Sequence, residues 1–390
     1  MMSKKSALLL TFSDPIGDPR PKRAFELLNQ MGFVVDIASF AMLGKLNANR
    51  EFIILQSSGA RLISIIRKGV IAFLLIISRL FPFTLFRDNI INFWFRLRPV
   101  SRVMREFTYD VILVEDLFFL PVIMQGKKSS KVIFDAREYY PRQREDSLVF
   151  RIVEKPIRIY LCKKYLKQCD LFLTVSWGLA HEYFREFGVS GHVIRSTPSE
   201  VVCRINETPM NKIRMVHHGV ANRNRKLENM IHLVKLLDLR FSLDLYLQGD
   251  QVYISELEGL ITQSSRVAIK KPVPFNDIIP MLRNYDLGLF YVEPTTFNLA
   301  HCLPNKLFEF IQARLMVAIG PSPEMSRIVR EFDCGVISDR FELVAMAESL
   351  NKLDANRIRE FKNNSDKAAR QLNWGEEGKI LQRLIQVTLN

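Results

Sequence analysis

YVEPTTFNLAHCLPNKLFEFIQARLMVAIGPSP, running from Tyr291 to Pro323, decides how this chain is read. It reads as strand, polar loop, short helix, strand. Pro304-Asn305-Lys306-Leu307-Phe308-Glu309 opens the helix, and Leu307, Phe308, Phe310 and Ile311 carry the spacing of one buried helix side. Lys306 and Glu309 lie one turn apart near the helix N-terminus, where unsatisfied backbone N–H groups attract anions. A lysine there opposes the macrodipole unless something negative stands between. A phosphate meets that need, and Glu309 can then accept hydrogen bonds from a ribose diol. The plainer reading is an exposed i,i+3 ion pair worth ~0.2–0.5 kcal/mol, although lysine-first is its weaker order. On these residues alone both readings stand.

The totals set the frame. At 390 residues the chain suits two domains rather than one core. Cys162, Cys169, Cys203, Cys302 and Cys334 are scattered, odd in number and form no C-x-x-C pair, which argues against a disulfide framework or structural zinc and suits a reducing cytoplasm. A formal charge of +14 asks for an acidic partner. No compact basic motif or aromatic RNA-binding signature accompanies it, so nucleic acid is not the expected partner. The N-terminus lacks the apolar run of a signal peptide. GVIAFLLIISRLFPFTLF (69–86) contains Arg79 and Pro82 and is expected not to span a membrane.

From the start, Ser6–Phe12 reads as a buried parallel strand, SDPIGDP (13–19) as a turn, Arg20–Met31 as a helix and Phe33–Ser39 as a second strand. This is a βαβ unit. Residues 48–107 break the rhythm and read as a helical insertion with interspersed arginines, either a layer on the sheet or, for Ile71–Phe86, an interfacial segment touching anionic lipid. Strands return at Val111–Val114, Lys131–Asp135, Leu171–Val175 and His192–Arg195. Asp135-Ala136-Arg137-Glu138 follows a strand end, where open α/β sheets place functional groups. Asp135 or Glu138 is a candidate base or sugar-binding carboxylate and Arg137 a candidate anion clamp, with an ion-paired cluster as the plainer reading.

STPSEVVCRINETPMNK (196–212) loses periodicity and reads as a linker. A second series follows, with strands near Ile213–His217, Leu243–Leu247, Val267–Ile269, Leu287–Tyr291, Met316–Ile319 and Gly335–Ile337. The expected architecture is α/β, two facing doubly wound Rossmann-like domains. In the loops at that strand edge, Gly219 permits close backbone approach, Arg225 suits a diphosphate, Gly249 suits a flat ligand, and Lys270–Val273 forms a further turn. The adjacent His217 and His218 lack zinc-site spacing, so no metal is expected.

The second half resembles the donor domain of GT-B glycosyltransferases of the retaining family-4 type (group 1). The residues that carry this are PVPFNDIIPMLRNYDLGLF (272–290), PNKLFEF (304–310) and AIGPSPE (318–324). SDPIGDPRPKRAFELLNQMGFVVDI (13–37) and DAREYYP (135–141) resemble the acceptor side, and Asn373–Glu377 the segment crossing back to the first domain. The resemblance implies an acceptor-side domain over 1–195 with the insertion at about 48–107, a linker at 196–212, a donor domain over 213–372 and a returning helix over 373–390. It implies that Glu309 holds the ribose, Lys306 and Arg225 the diphosphate, and the 271–273 turn, with Val273, the base. Asn305, Gly219 and Gly249 join that set, and Gly17 lies in a first-domain loop facing the donor phosphates. The chain departs from the family at His301, where the first glutamate of E-x7-E is expected, at Val220, where a basic residue is usual, and at Arg137, where a histidine is common. These changes fall on donor-sugar contact and on catalysis.

The implied activity is sugar transfer from a nucleoside-diphosphate donor to an acceptor hydroxyl with retention, in polysaccharide, cell-envelope or glycolipid synthesis. The donor is a substrate, and no cofactor is implied. The acceptor would be a saccharide or a lipid-linked molecule, with the protein cytoplasmic or peripheral at the inner face of the membrane. A non-catalytic nucleotide-sugar scaffold and a sugar-nucleotide epimerase are the alternatives.

Overall fold

The computed structural model describes residues 5–40, 46–54, 84–209, 211–261 and 266–390, with side chains described from residue 88 in the helix that begins at residue 84. The insertion segment 55–83, and with it most of the proposed interfacial stretch Ile71–Phe86 and Arg67 and Arg79, lies outside the described residues. Among the described residues no helix is long and apolar enough to cross a membrane.

The chain divides into two compact units, residues 1–194 with 378–390, and residues 195–377. In the first, strands β1 (Ser6–Thr11), β2 (Val34–Ser39), β3 (Arg50–Ile53), β4 (Val111–Val114), β5 (Lys131–Ala136), β6 (Leu171–Thr174) and β7 (His192–Val193) form one parallel sheet in the order β3-β2-β1-β4-β5-β6-β7. The apolar runs of β1 and β4 are buried, as strands covered on both faces must be. One expectation needs correction. The region 48–107 is not helical throughout, because Arg50–Ile53 pairs with β2 as an edge strand. Its residues are largely exposed, so it lacks the apolar run that marks a buried parallel strand. Helices Thr84–Trp94 and Arg98–Glu106 do lie in that region.

The second unit holds β8 (Ile213–Ala221), β9 (Phe241–Gly249), β10 (Val267–Lys270), β11 (Leu287–Phe290), β12 (Met316–Ile319) and β13 (Gly335–Ile337), parallel and ordered β10-β9-β8-β11-β12-β13. Strand order reverses between β8 and β11. In an open α/β sheet the crevice for ligands lies outside the C-terminal strand ends at such a point. The last helix, Trp374–Leu389, begins in the second unit, and its residues from Gly378 onward group with the first.

Residues 195–209 form neither helix nor strand, yet they are tied down. The buried Asp286 carboxylate, just before β11, accepts from the Arg214 backbone N–H and guanidinium at 3.0 Å and from Thr208 at 3.0 Å. Lys362 of helix Ala355–Ala369 donates to it at 3.4 Å.

Helix Asn305–Gln312 buries Leu307 through Gln312. Its seat is specific. A Cβ on Gly288 of β11 would stand 2.2 Å from Phe310 Cγ, so the ring rests on bare backbone. At the helix end, Gln312 Nε2 donates to the Ala369 and Leu372 carbonyls at 2.7 and 3.2 Å, and its Oε1 accepts from Val201 N at 2.9 Å. Arg314 has φ of 62° and donates to Gln312 O, Val201 O and Asp366 at 2.7 Å each. Gly288→Ala should therefore lower the urea unfolding stability by ~1–3 kcal/mol, the usual cost of overpacking. An unchanged midpoint would show that Phe310 does not sit there.

Candidate functional site

Gly219 lies near the C-terminal end of β8, at the point where strand order reverses. Its φ of 134° is one that side-chain-bearing residues rarely adopt, and an added Cβ would stand 2.4 Å from Lys306 Cε and 2.6 Å from Nζ. The lysine chain thus lies flat on the glycine. Arg225 follows in the single turn Arg223–Arg225, capped by the Asn222 side chain on Asn224 N at 2.9 Å. Its Nη1 donates to Val220 O at 3.2 Å and stands 3.9 Å from the same hypothetical Cβ. Two cations therefore converge on one bare stretch of backbone. Helix Asn305–Gln312 points its N-terminus here, with Pro304 as an N-cap that supplies no side-chain acceptor.

The electrostatics follow from this crowding. Burial and then Arg225 hold the Lys306 ammonium down to about 8, against a smaller opposing pull from Glu309. Burial likewise lowers Arg225. His217 is fully buried, and burial followed by the Lys306 charge drives its pKa well below the usual value. Its ring is neutral, so Nδ1–H donates to Leu289 O at 2.9 Å and Nε2 is left as an acceptor with no partner among the described residues. His218 Nε2 stands 3.1 Å from Glu309 Oε2, both side chains being buried, but neither atom makes an aligned hydrogen bond there. Glu309 thus keeps an unsatisfied oxygen behind the two cations. Cys302 lies in the field of Arg225 and Lys306, but burial prevails and pushes its thiol up to about 11.

Beside these groups His218, Gly219, Gln248, Pro272 and Val273 line a small open pocket with Tyr246, Ile278 and Met281. Gly249, with φ of 112°, ends β9, and a Cβ there would stand 3.1 Å from Val220 Cγ1. Asn305 is the first residue of the helix and part-exposed. The structure therefore brings Gly219, Arg225, Lys306, Glu309 and Val273 together, with Gly249 and Asn305 on adjoining positions. His301, where the resemblance expects a glutamate, places Nδ1 3.3 Å from Oε1 of the buried Glu324 in the first turn of helix Pro323–Phe332.

The first unit's candidates occupy a different setting. Asp135 is buried, and both of its oxygens are held at 2.6 Å by the Arg20 guanidinium. Arg137 donates to Asp18 and to the buried Glu115. For these two the ion-paired reading describes the geometry, since a base at Asp135 would first have to break a buried bidentate pair. Glu138 is part-exposed, and burial raises its pKa against the opposing Gln143 hydrogen bond. Gly17 is exposed in its turn, with Asp14 Oδ2 3.3 Å from where a Cβ would stand. Sequence reading overlooked Glu115 and Asp116, which directly follow β4 and whose carboxyls burial raises to about 7 and about 6. Two acids placed immediately after the run Val111–Val114 were the available signal.

No protein-family description and no curated protein matches the chain in sequence. Solved structures do match in fold. A sucrose-phosphate synthase from Thermosynechococcus elongatus superposes with a TM-score of 0.71 at 12% identity, covering 98% of this chain and 99% of its own. A glycosyltransferase from Rickettsia africae gives 0.69 at 10%, covering 100% and 99%. Anabaena HepE, solved in complex with UDP-glucose, gives 0.67 at 14%, covering 98% of each chain. Likeness at this identity establishes the fold. The chain has the GT-B fold, two Rossmann-like α/β units with a C-terminal helix.

The lysine generates a stability test. Its pKa is lower in the folded chain than the usual 10.5, so the fold disfavours the charged form, and stability should rise as pH climbs from about 8 toward 10.5. Lys306→Met should melt higher than the parent at pH 7 and lose this component of the rise. A parent-like melting profile in the variant would refute the buried charge conflict.

Proposed function

We propose that this protein is a glycosyltransferase that moves a sugar from a nucleoside-diphosphate donor to an acceptor hydroxyl with retention of configuration. The observation that carries the reading is the convergence of Lys306 and Arg225 on the bare backbone of Gly219, with the unsatisfied Glu309 oxygen behind them. A diphosphate placed there relieves the repulsion between the cations and meets the uncapped helix N-terminus. As the glycosidic bond breaks, negative charge grows on the leaving diphosphate, and preorganised donors stabilise it more than they stabilise the intact donor. Glu309 then accepts from the ribose hydroxyls, while Pro272 and Val273 flank the base. Glu138, part-exposed where Asp135 is buried in its pair with Arg20, is the first-unit carboxyl we assign to the acceptor side, and burial raises its pKa. Arg137 acts there by holding Asp18 and Glu115.

The acceptor is a saccharide or a lipid-linked molecule, consistent with a role in polysaccharide, cell-envelope or glycolipid synthesis. A peripheral position at the inner face of the membrane accords with the apolar 69–86 sequence and the arginines that flank it, Arg67 and Arg87. One observation favours a second reading, a nucleotide-sugar scaffold without turnover: His301 is engaged by Glu324 at the position where the resemblance expects a free carboxylate.

Calorimetry with UDP, GDP and ADP in buffers of different ionisation heat tests the donor site. Because an anion raises the Lys306 pKa from about 8, binding should take up a proton above that pH, and affinity should fall as pH rises past it. Lys306→Ala should weaken binding roughly 10- to 100-fold, as the loss of a charge-assisted hydrogen bond does. If none of the three diphosphates binds, the proposal fails. Mass spectrometry of products from nucleotide-sugar and saccharide panels separates the readings: diphosphate release together with a new glycoside supports transfer, whereas tight binding without turnover supports the scaffold.

A further inference from the structure

The first unit carries a surface that the donor site does not explain. Residues 148–165 run as one helical segment, with a wide π-helical turn at Phe150–Glu154 leading into helix Lys155–Tyr165. Its inner side is conventional: Phe150, Val153, Ile157 and Leu161 are buried. Its outer side is not. Leu148, Val149 and Ile152 are 62%, 68% and 51% exposed, a cluster of aliphatic side chains at the very start of the segment. Arg144 and Arg151 are exposed around them, Lys155 and Ile159 are part-exposed on the next turns, and Lys163 is exposed one turn further.

Charge tells what the cluster suits. Arg142 is paired with Glu145 just before the segment and Arg158 with Glu154 within it, while Arg144, Arg151, Lys155 and Lys163 belong to no ion pair among the described residues. Asp146 is the exposed acid nearby. An apolar cluster ringed by unpaired cations matches a lipid surface with anionic headgroups, where aliphatic side chains enter the acyl boundary and arginines stay at the phosphates. Connectivity points the same way. Asp88, buried in helix Thr84–Trp94, accepts from Tyr160 at 3.1 Å, Lys164 at 2.5 Å and Tyr165 at 2.6 Å. The helix bearing the patch is thereby fastened to the helix entered from the apolar, arginine-bearing 69–86 sequence.

We propose that Leu148, Val149 and Ile152, with Arg144, Arg151 and Lys155, form a docking surface for an anionic membrane. This extends the peripheral reading above by assigning a surface, and it does not rest on the donor site. The test is flotation of the full chain with vesicles of phosphatidylcholine alone or with phosphatidylglycerol, at low and high salt. The parent should float with the anionic vesicles at low salt and release at high salt. The combined Leu148→Gln, Val149→Gln and Ile152→Gln variant should lose about tenfold in bound fraction, and Arg144→Gln with Arg151→Gln should shift release to lower salt. Unchanged melting and diphosphate binding would confirm that both variants fold. A parent that stays in the dense fraction overturns both membrane readings. A triple variant that floats as well as the parent, while Arg67→Glu with Arg79→Glu does not, overturns this surface and leaves the 69–86 reading standing. A parent dimer that the triple substitution converts to monomer assigns the patch to a second copy of the chain and also overturns the proposal.

Discussion

The seating of helix Asn305–Gln312 is the constraint on which the donor-side geometry depends. Phe310 rests on the backbone of Gly288, and the far end of the helix is held by Gln312 and Arg314 through carbonyls and a carboxylate drawn from both earlier and later segments. With one end fixed, the other presents Lys306 to Gly219 and Glu309 to His218. A lysine ammonium crowded against an arginine would normally swing away into water, since its chain is flexible and the charge gains by hydration. Here the rigid helix and the bare glycine let it lie in place.

The strand-end cluster of the first unit and the Lys306 cluster of the second treat buried charge in opposite ways. In the first, each arginine of the strand-end cluster has carboxylates as partners: Arg20 holds Asp135, and Arg137 holds Asp18 and Glu115. Breaking any one of these pairs would strand a charge in low dielectric, so the cluster is stiff. In the cluster around Lys306, the buried carboxylates stand beside histidines, Glu309 by His218 and Glu324 by His301, and Lys306 and Arg225 are left without a carboxylate between them. A site with surplus positive charge is poised for an anion, and a site with matched charge is poised to hold its shape.

How much of this the sequence disclosed depends on how local the signal is. Val111–Val114 and Met316–Ile319 have the same bounds in sequence and structure, because a doubly covered strand needs an unbroken apolar run, and the part-buried edge strand Gly335–Ile337 matches as well. Arg50–Ile53 was misread because an edge strand exposed to water carries no such run. Lys306 and Glu309 were legible as neighbours on one helix turn, and Gly219 as a point of close approach. What approaches Gly219 in the structure is Lys306, which no spacing rule foretells. The partner of Asp135 is 115 residues away, and the ring that stands beside Glu309 is His218, whose sequence context speaks only to zinc. Pairings across a sheet edge are products of topology, and they become visible once the strand order is known.

The clamp at Gln312 also sets an order of assembly. Its Val201 partner is made before the helix, but Asp366, Ala369 and Leu372 are made after it. During synthesis the helix bearing Lys306 therefore leaves the ribosome before its support exists. A nascent chain ending short of Asp366 would hold every residue named in the donor pocket and still lack the contacts that aim them. Competence of this pocket is a property of the finished chain, conferred by a stretch that contributes no side chain to it.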